Sequence, residues 1–509
     1  MEKRILDKYS VIANKIKGNV EIVSSPEDFV PLYIIRMPEL ERGTLILLDK
    51  IREVLVTVVK IKVIELTDPK SLEELKERFY LKSLELIEQY LPGTPMEKKE
   101  ILAGILLHEM LGLGKIEMLL ADGNLEEIVV NSSKEPVWVY HKKHGWLKTN
   151  IIIPTEIQIQ NYAASVGRRI GRQITTLDPL LDAHLITGDR VNATLFPIST
   201  VGNTITIRLF RRKPWTITDF ITNKTISPEL TAILWLGVQY EMSMLISGGT
   251  ASGKTSFLGA ILPFIQTNQR IVSIEDTREL SLPQFLHWVP LTTREANPEG
   301  KGAVEMLDLL VNSLRMRPDR IVVGEIRRQA QAEVLFEAMH TGHSVYATLH
   351  ADTVEQTYRR LINPPINVPE TLLEALDLII AMYRDRRSGI RRIFQLAEIV
   401  PPSGRVTKGV TLRVLYKWNV KNDKIEKFQE SYRFIQKLQM HTGMSNTELE
   451  KDKNDKIKIL NWMVENHVNM VNGVGKVVAE YYRDPEYVLN IVEKKAKAET
   501  LIPKNFLVD

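Results

Sequence analysis

The stretch MSMLISGGTASGKT, residues 242–255, decides the fold class of this chain. It runs from an apolar segment into a glycine-rich loop, and residues 248–255 match the phosphate-loop pattern G-x-x-x-x-G-K-[ST]. Residues 242–246 read as a short buried strand, and 254–262 as the helix that follows until Pro263. Because strand, loop and helix stand in register, the pattern indicates a nucleoside triphosphate site. A chance glycine-rich turn is the alternative interpretation.

The residue types of this loop each suit a phosphate ligand. Glycines let the backbone N–H groups turn inward without a Cβ in the way, and the helix N-terminus adds partial positive charge behind them. We expect Lys254 to reach the β- and γ-phosphates and the Thr255 hydroxyl to bind Mg²⁺. The predicted cofactors are ATP and Mg²⁺. The predicted nucleotide-binding residues are Gly248, Gly249, Thr250, Ala251, Ser252, Gly253, Lys254, Thr255 and Ser256.

Length and composition bound the rest of the chain. With 509 residues it is too long for one core, and two or three domains are expected. A formal charge of +4 over this length gives no footprint for direct contact with nucleic acid. The absence of cysteine excludes disulfides, thiol catalysis and a Cys₄ zinc site.

The sequence also argues against a membrane span and a secretory signal. The best apolar candidate, residues 44–66, is interrupted by charged residues from Asp49 onward. The N-terminus, MEKRILDKYS, is charged from its second residue and lacks an apolar segment. We therefore expect a cytoplasmic protein.

Changes of pattern along the chain predict its domains. Residues 1–95 mix short apolar runs with a charged helical stretch and are interpreted as an N-terminal α/β and helical subdomain. Residues 96–210 follow as an N-domain of helices and strands. Residues 211–215 look like a linker, since they are basic and contain a proline that cannot continue the preceding strand. Residues 216–509 then form a phosphate-loop domain with a helical C-terminal part.

Strand and helix patterns alternate in this last domain. The predicted strands are 242–247, 271–274, 287–292, 320–323 and 344–348, and the predicted helices lie near 254–262, 303–316, 328–341 and 353–362, with mostly helical sequence at 429–498. This alternation predicts an α/β fold with a mainly parallel sheet and the phosphate loop after an early strand.

Two strand ends supply the carboxylates that a nucleotide hydrolase needs near its phosphates. The strand at 271–274 runs into Glu275, and the strand at 320–323 runs into Gly324 and Glu325. Ligands of open α/β sheets lie beyond the carboxyl ends of strands, so both acids are expected to face the loop. Gly324 stands where the magnesium aspartate of an ordinary Walker B segment sits. Taken alone, each acid fits a solvated strand-end residue better.

Together the motifs are more specific. GGTASGKT, IEDTREL, LRMRPDRIVVGEIR and TGHSVYATLH, in this order, resemble the Walker A, Asp box, atypical Walker B and His box of the secretion ATPase superfamily of type II secretion and type IV pilus machines. Residues 121–146, 189–195 and 206–208 look like the N-domain of its archaeal branch, which includes the motors of archaella and pili. The resemblance implies a RecA-like ATPase domain behind a smaller α/β, PAS-like N-domain.

The resemblance also implies residue roles. Glu275 would orient the attacking water, and Glu325 would act at Mg²⁺ through water. His350, and with less support His343, would sense the γ-phosphate. A neutral core histidine bonded to a backbone carbonyl is the alternative for each histidine, and the resemblance outweighs it for His350 only.

Arginines complete the implied site. Arg190 and Arg208 would be arginine fingers that the N-domain delivers across a subunit boundary, because a planar, permanent charge stabilises the oxygens of a transferring phosphoryl group. Two further sets stay open. A basic cluster is either a solvated helix end or part of the nucleotide site; its members are Arg168, Arg169 and Arg172. A pair is interpreted as bracing the Walker B region or an interface; its members are Arg315 and Arg317.

The function implied by the resemblance is a homohexameric ATPase at the inner face of the membrane. It would close its two domains at the linker, act on a polytopic membrane platform protein, and add pilin or archaellin subunits to a filament indirectly. No direct contact with nucleic acid is expected. Two alternatives remain: a DNA-transfer ATPase of the same superfamily, and a nucleotide-binding scaffold that does not hydrolyse ATP.

Overall fold

The computed structural model describes residues 4–38, 40–60, 65, 69–185, 188–210, 213–294, 296, 300–385, 387–401 and 409–507. The chain divides after residue 212 into two compact units. Arg211 and Arg212, the first two residues of the predicted linker, lie outside the described residues.

The first unit is built on one nine-stranded sheet of order β1-β2-β3-β6-β5-β4-β9-β8-β7. Its strands are β1 Arg4–Ala13, β2 Ile16–Ser24, β3 Leu32–Arg36, β4 Leu125–Val130, β5 Pro136–His141, β6 Gly145–Ile152, β7 Leu180–His184, β8 Arg190–Thr194 and β9 Thr204–Arg208. Its helices are α1 Arg42–Val58, α2 Pro69–Tyr90, α3 Met96–Met110, α4 Ile116–Leu120 and α5 Glu156–Arg169.

The sheet of the first unit contains strands from both sides of residue 95, the predicted boundary. β3 pairs in parallel with β6 through Leu32–Lys148 and Tyr33–Thr149, which attaches the hairpin of β1 and β2 to the strands that follow α4. Helices α1, α2 and α3 have a small apolar core of their own, which includes Leu55 and Phe79. The segments 1–95 and 96–210 therefore contribute to one sheet.

The second unit contains another nine-stranded sheet, of order β12-β11-β13-β14-β10-β15-β16-β17-β18. Its strands are β10 Met244–Gly248, β11 Arg270–Glu275, β12 His287–Thr292, β13 Arg320–Val323, β14 Ser344–Leu349, β15 Leu378–Arg384, β16 Arg391–Val400, β17 Thr411–Asn419 and β18 Lys424–Lys427. Its helices are α6 Ile217–Thr222, α7 Pro228–Gln239, α8 Lys254–Ile261, α9 Met306–Ser313, α10 Gln329–His340, α11 Val354–Ile362, α12 Arg433–Thr442, α13 Asn446–Glu465, α14 Val471–Arg483 and α15 Pro485–Glu493.

The predicted parallel α/β sheet is confirmed. β12, β11, β13, β14, β10 and β15 run in parallel, and β14 lies between the phosphate-loop strand β10 and β13, as in a RecA-like ATPase domain. Side chains alternate between two cores: Met244 and Ile246 join one apolar cluster, whereas Leu245 joins the other. Helices therefore cover both faces of this sheet. The antiparallel strands β16, β17 and β18 extend it beyond what the sequence predicted.

Among the residues that the structure describes, no helix is long and apolar enough to cross a membrane.

Candidate functional site

The carboxyl ends of four neighbouring parallel strands meet at one edge of the second sheet. β10 ends at Gly248, β11 ends at Glu275, β13 leads into Glu325, and β14 leads into His350. In open α/β sheets this edge is the ligand-binding edge. The site residues that the sequence predicted in this unit therefore lie together.

The phosphate loop has a backbone that side chains would obstruct. A Cβ on Gly248 would lie 2.5 Å from the Ser252 Oγ, and one on Gly249 would lie 2.7 Å from the Asp352 Oδ1. Gly253, with φ +95°, and Ala251, with φ +58°, both adopt the left-handed conformation. These two turns fold the loop into a cradle that a Cβ at its glycines would fill, and the cradle fits phosphate groups.

Lys254 begins α8 and folds back over this cradle. Its Nζ donates to the carbonyl oxygens of Gly248 and Gly249, both at 3.0 Å, and the residue is 8% exposed. Burial lowers the pKa of the ammonium, whereas the charges of Glu325 and Asp352 oppose that shift. The lysine thus already stands at the loop, on carbonyl oxygens that an incoming phosphate can replace as its partners.

The hydroxyl residues of the loop have different surroundings. Thr255, in the first turn of α8, is half-buried, and Thr250 and Ser256 are exposed. Ser252 is buried, and its Oγ donates to the Gly249 carbonyl at 2.8 Å. Ser252 therefore braces the loop internally, while Thr255 occupies the position at which the sequence places a Mg²⁺ ligand.

Glu275 is a buried carboxyl with one oxygen left over. It is 2% exposed, and its Oε1 accepts from the backbone N–H of Glu279 at 2.9 Å and of Leu280 at 3.1 Å. Its Oε2 is buried and has no hydrogen-bond partner among the described residues. Burial raises the pKa of Glu275 to about 7, although the two backbone donors act in the opposite direction. The side chain can therefore change protonation near neutral pH.

Glu325 and His350 lie in contact with each other beside the loop. The Glu325 Oε1 lies 3.4 Å from the His350 Nε2, and its Oε2 accepts from the Arg327 Nε at 2.8 Å. Burial and the Lys254 charge lower the pKa of His350, against the opposing charge of Glu325. Gly324 lies next to Glu275: a Cβ at this position would be in contact with the Glu275 Cγ, at 3.5 Å. An aspartate in its place would therefore bring a second carboxylate against Glu275.

His343 is placed away from this site. It precedes the amino end of β14, whereas His350 follows the carboxyl end of the same strand. Its Nδ1 lies 3.2 Å from the Ala338 carbonyl oxygen and 3.1 Å from the Thr341 Oγ1. This geometry favours the alternative for His343, a histidine bonded to a backbone carbonyl, because the six residues of β14 separate it from the binding edge.

The structure adds three residues that the sequence analysis did not select. Arg327 binds Glu325 and also Asp276, which follows Glu275. The Arg391 Nε donates to the Ala251 carbonyl at 3.1 Å, and Asp352 lies against Gly249. Arg327 stood in the quoted Walker B segment, so its position was a usable signal. Arg391 comes from the antiparallel strand β16, which the sequence did not predict.

Arg190 and Arg208 belong to the first unit, where they stand opposite each other on β8 and β9 and are both exposed. The Arg190 guanidinium binds Asp182 in a bidentate manner, with Nε–Oδ1 at 3.2 Å and Nη2–Oδ2 at 2.5 Å. Arg208 also stands opposite Glu127 on β4. The two predicted fingers therefore share one surface of their own sheet.

The other arginines singled out in the sequence either contact backbone carbonyls or are exposed to solvent. The Arg169 Nη2 donates to the Leu111 carbonyl at 2.6 Å, and the Arg172 Nη1 lies 3.5 Å from the Asp182 carbonyl. These contacts favour a structural role at the end of α5 for both residues. Arg315 and Arg317 are exposed. The buried arginine of this region is instead Arg320, whose partners include Gln269 and Tyr346; it lies at the opposite end of β13 from Glu325.

Comparison with known proteins identifies a family to which this chain is similar. A family model described as "Type II/IV secretion system protein" matches residues 184–388. An uncharacterized protein of Methanocaldococcus jannaschii is 39% identical over 353 residues, which cover 69% of this chain and 63% of that protein. The chain therefore spans less than two thirds of that relative.

A second relative and one solved structure also match part of this chain. A putative conjugal transfer protein of Mycobacterium tuberculosis is 32% identical over 325 residues, covering 60% of this chain and 90% of that protein. The crystal structure of the Legionella pneumophila ATPase DotB matches 75% of this chain and 95% of its own, with 19% identity and a TM-score of 0.40.

Proposed function

The chain belongs to the type II/IV secretion system protein family, and we propose that it hydrolyses ATP to drive a secretion or filament-assembly machine. The observation that carries this proposal is the meeting of the phosphate loop with Glu275, Glu325 and His350 at one sheet edge. A nucleotide-binding loop alone suits many proteins. The buried Glu275 carboxyl beside it, whose Oε2 has no partner among the described residues, suits hydrolysis.

Binding is assigned to the loop and α8. The glycine cradle and the N-terminus of α8 would hold the phosphates, with Lys254 supplying a point charge at the β- and γ-phosphates. Thr255 and Glu325 would hold Mg²⁺, Glu325 through water. The ion neutralises charge on the phosphate oxygens when it is bound.

Glu275 is assigned to the attacking water. Its free Oε2 is the one acceptor of this buried side chain that the backbone leaves unused. A pKa of about 7 lets the carboxylate form at neutral pH and still attract a proton from water. His350, whose Nε2 lies beside Glu325, would contact the γ-phosphate. This contact would couple the presence of the γ-phosphate to β14, the strand that leads into His350.

The oligomer and the fingers are proposals that rest on the family. We propose that the chain is a homohexamer in which residues 96–210 present Arg190 and Arg208 to the nucleotide of a neighbouring subunit. The exposure of both arginines on one surface supports this role. Residues 211–215 would serve as the hinge between that N-domain and the ATPase domain at 216–509, with residues 1–95 as an additional subdomain.

A membrane protein is the proposed target of the motor. We propose a polytopic membrane platform protein as the direct partner, at the cytoplasmic face of the membrane, and pilin or archaellin subunits as the indirect cargo. Similarity to an uncharacterized protein of the archaeon Methanocaldococcus jannaschii supports placing the chain in the archaeal branch of the family. This is the interpretation that the sequence motifs also favour.

A DNA-transfer motor is the second candidate. The 32% identity to a putative conjugal transfer protein, over 90% of its length, favours it. The two candidates differ in what stimulates turnover. Double-stranded or single-stranded DNA would raise the ATPase rate of a motor that acts on DNA directly, and would leave the rate of a filament motor unchanged.

Phosphate release from ATP by the purified protein tests the proposed activity. We expect Mg²⁺-dependent turnover that vesicles containing the platform protein accelerate. A protein that binds fluorescent ADP but releases no phosphate under any of these conditions would be a scaffold, and the proposed activity would be wrong.

A further inference from the structure

Arg327 binds two carboxylates that follow two different strands. Its Nη1 lies 2.7 Å from the Asp276 Oδ2, while its Nε and Nη2 lie 2.8 Å and 2.7 Å from the Glu325 Oε2. Asp276 follows β11 directly after Glu275, and Glu325 follows β13. One guanidinium thus joins the segment that carries the proposed water-orienting acid to the segment that carries the proposed Mg²⁺ acid.

This contact is not needed to hold the backbone. The two segments are already joined by the Gly324 N–H, which donates to the Ile274 carbonyl at 2.9 Å. The Ile326 N–H donates to the Thr348 carbonyl, also at 2.9 Å. What Arg327 adds is therefore control of two side chains, not of the strands themselves.

The contact is also a weak source of stability. The Arg327 side chain is 59% exposed and that of Asp276 is 38% exposed, and exposed ion pairs contribute little to folding. The backbone of Arg327 is nevertheless well fixed, since the Gln331 Oε1 accepts from its N–H at 3.0 Å. A fixed backbone with a planar fork directs the guanidinium at both acids at once.

We propose that Arg327 is a positioning residue for hydrolysis, an inference that rests on the proposed ATPase function. By holding the Glu325 Oε2, it leaves Oε1 directed at His350 and the binding edge. By holding Asp276, it ties that orientation to the segment of Glu275. Arg327 therefore acts through these carboxylates and does not itself touch the nucleotide.

The test compares Arg327→Ala with Arg328→Ala under saturating Mg²⁺. Arg328 is a matched control, because it is the next residue and its 75% exposed side chain pairs with the exposed Glu305 at 3.5 Å, away from both acids. We expect Arg327→Ala to lower kcat at least tenfold while the Kd of fluorescent ADP changes less than threefold. Arg328→Ala is expected to keep wild-type values of both.

Two further variants separate positioning from folding. Arg327→Lys keeps the charge but a single ammonium lacks the fork that reaches both acids, so partial recovery of kcat is expected. In the Arg327→Ala background, Asp276→Asn should cost no further activity, because the contact that it removes is already gone. Full additivity of the two losses would contradict the shared contact.

The outcomes also distinguish this inference from the proposed function. If the wild type hydrolyses ATP and Arg327→Ala does so at the same rate, the positioning role is overturned and the proposed function stands. A parallel loss of kcat, nucleotide affinity and melting temperature in Arg327→Ala and Arg327→Lys would make the residue structural, which also overturns it. A wild-type protein that does not hydrolyse ATP overturns the proposed function, and this inference with it.

Discussion

Replacing Glu275 by glutamine is expected to abolish ATP hydrolysis and at the same time to stabilise the protein above neutral pH. The buried carboxylate lowers the stability of the folded protein, because burial raises the pKa of Glu275 from 4.5 to about 7. At about 1.4 kcal/mol per pKa unit, ionising this group in the folded protein costs about 3 kcal/mol at pH 8. The amide oxygen of glutamine can still accept hydrogen bonds from the backbone N–H groups of Glu279 and Leu280, but the side chain carries no charge.

The sign of the pH dependence follows from the raised pKa. Below pH 4.5 the carboxyl is protonated in both the folded and the unfolded chain, so the stability linked to its proton is fully present. Between pH 4.5 and 7 the unfolded chain loses this proton while the folded protein still holds it, so the linked stability falls; it is gone once the folded carboxyl has ionised above pH 7. The advantage of Glu275→Gln is therefore expected to be small at pH 5 and to grow to about 3 kcal/mol at pH 8.

Thermal unfolding at a series of pH values measures this difference. For a unit of this size, about 3 kcal/mol corresponds to a rise in Tm of roughly 5–10 °C at pH 8. The exposed Glu279, four residues further on, provides a comparison. Its charge is a minor cause of the raised pKa of Glu275, so Glu279→Gln is expected to change Tm much less than Glu275→Gln does.

Turnover is measured on the same samples. In the wild type, kcat is expected to be half-maximal near pH 7 and to approach its plateau above that pH, because the carboxylate is the active form. A Glu275→Gln protein that hydrolyses ATP normally would refute the catalytic assignment. A Tm difference that does not change with pH would refute the argument from burial.

Three further variants test the loop and the magnesium acid. Lys254→Ala removes the point charge over the loop and is expected to lower the ATPase rate about 10²-fold or more, measured by phosphate release; near wild-type turnover would contradict the site. Glu325→Gln is expected to slow hydrolysis and raise the Mg²⁺ concentration needed for half-maximal rate; an unchanged Mg²⁺ titration would argue against its place at the metal. Gly248→Ala forces a Cβ to 2.5 Å from the Ser252 Oγ and is expected to weaken fluorescent ADP binding at least tenfold, whereas Gly259→Ala, whose Cβ would make a 3.4 Å contact, should bind normally.

The sequence predicted the parallel part of the second sheet well because its signals are local. The phosphate loop requires glycines at fixed positions, and buried parallel strands are continuous apolar runs such as those of β10 and β13. Because parallel strands end at one edge of the sheet, Glu275 and Glu325 could be expected to lie there together. His350 was expected at the site only through the family resemblance.

The contacts missed by sequence reasoning depend on pairing between distant segments. β1 and β2 are a hairpin whose place in the first sheet is set by β3 pairing with β6, more than one hundred positions further on in sequence. Arg391 reaches the loop only because β16 turns back antiparallel to β15. Neither pairing has a local signature, so the antiparallel extensions and their arginines were not predicted.

A mixing experiment tests the central claim, ATP hydrolysis at a site completed by a neighbouring subunit. Arg208→Ala lacks a finger and Lys254→Ala lacks a working loop, so each protein alone is expected to be inactive. If the two co-assemble, some interfaces combine an intact Lys254 loop with an intact Arg208, and phosphate release should recover in part. Co-assembly, followed by light scattering, without any recovery of turnover would contradict a shared site, as would a strict monomer with and without ATP.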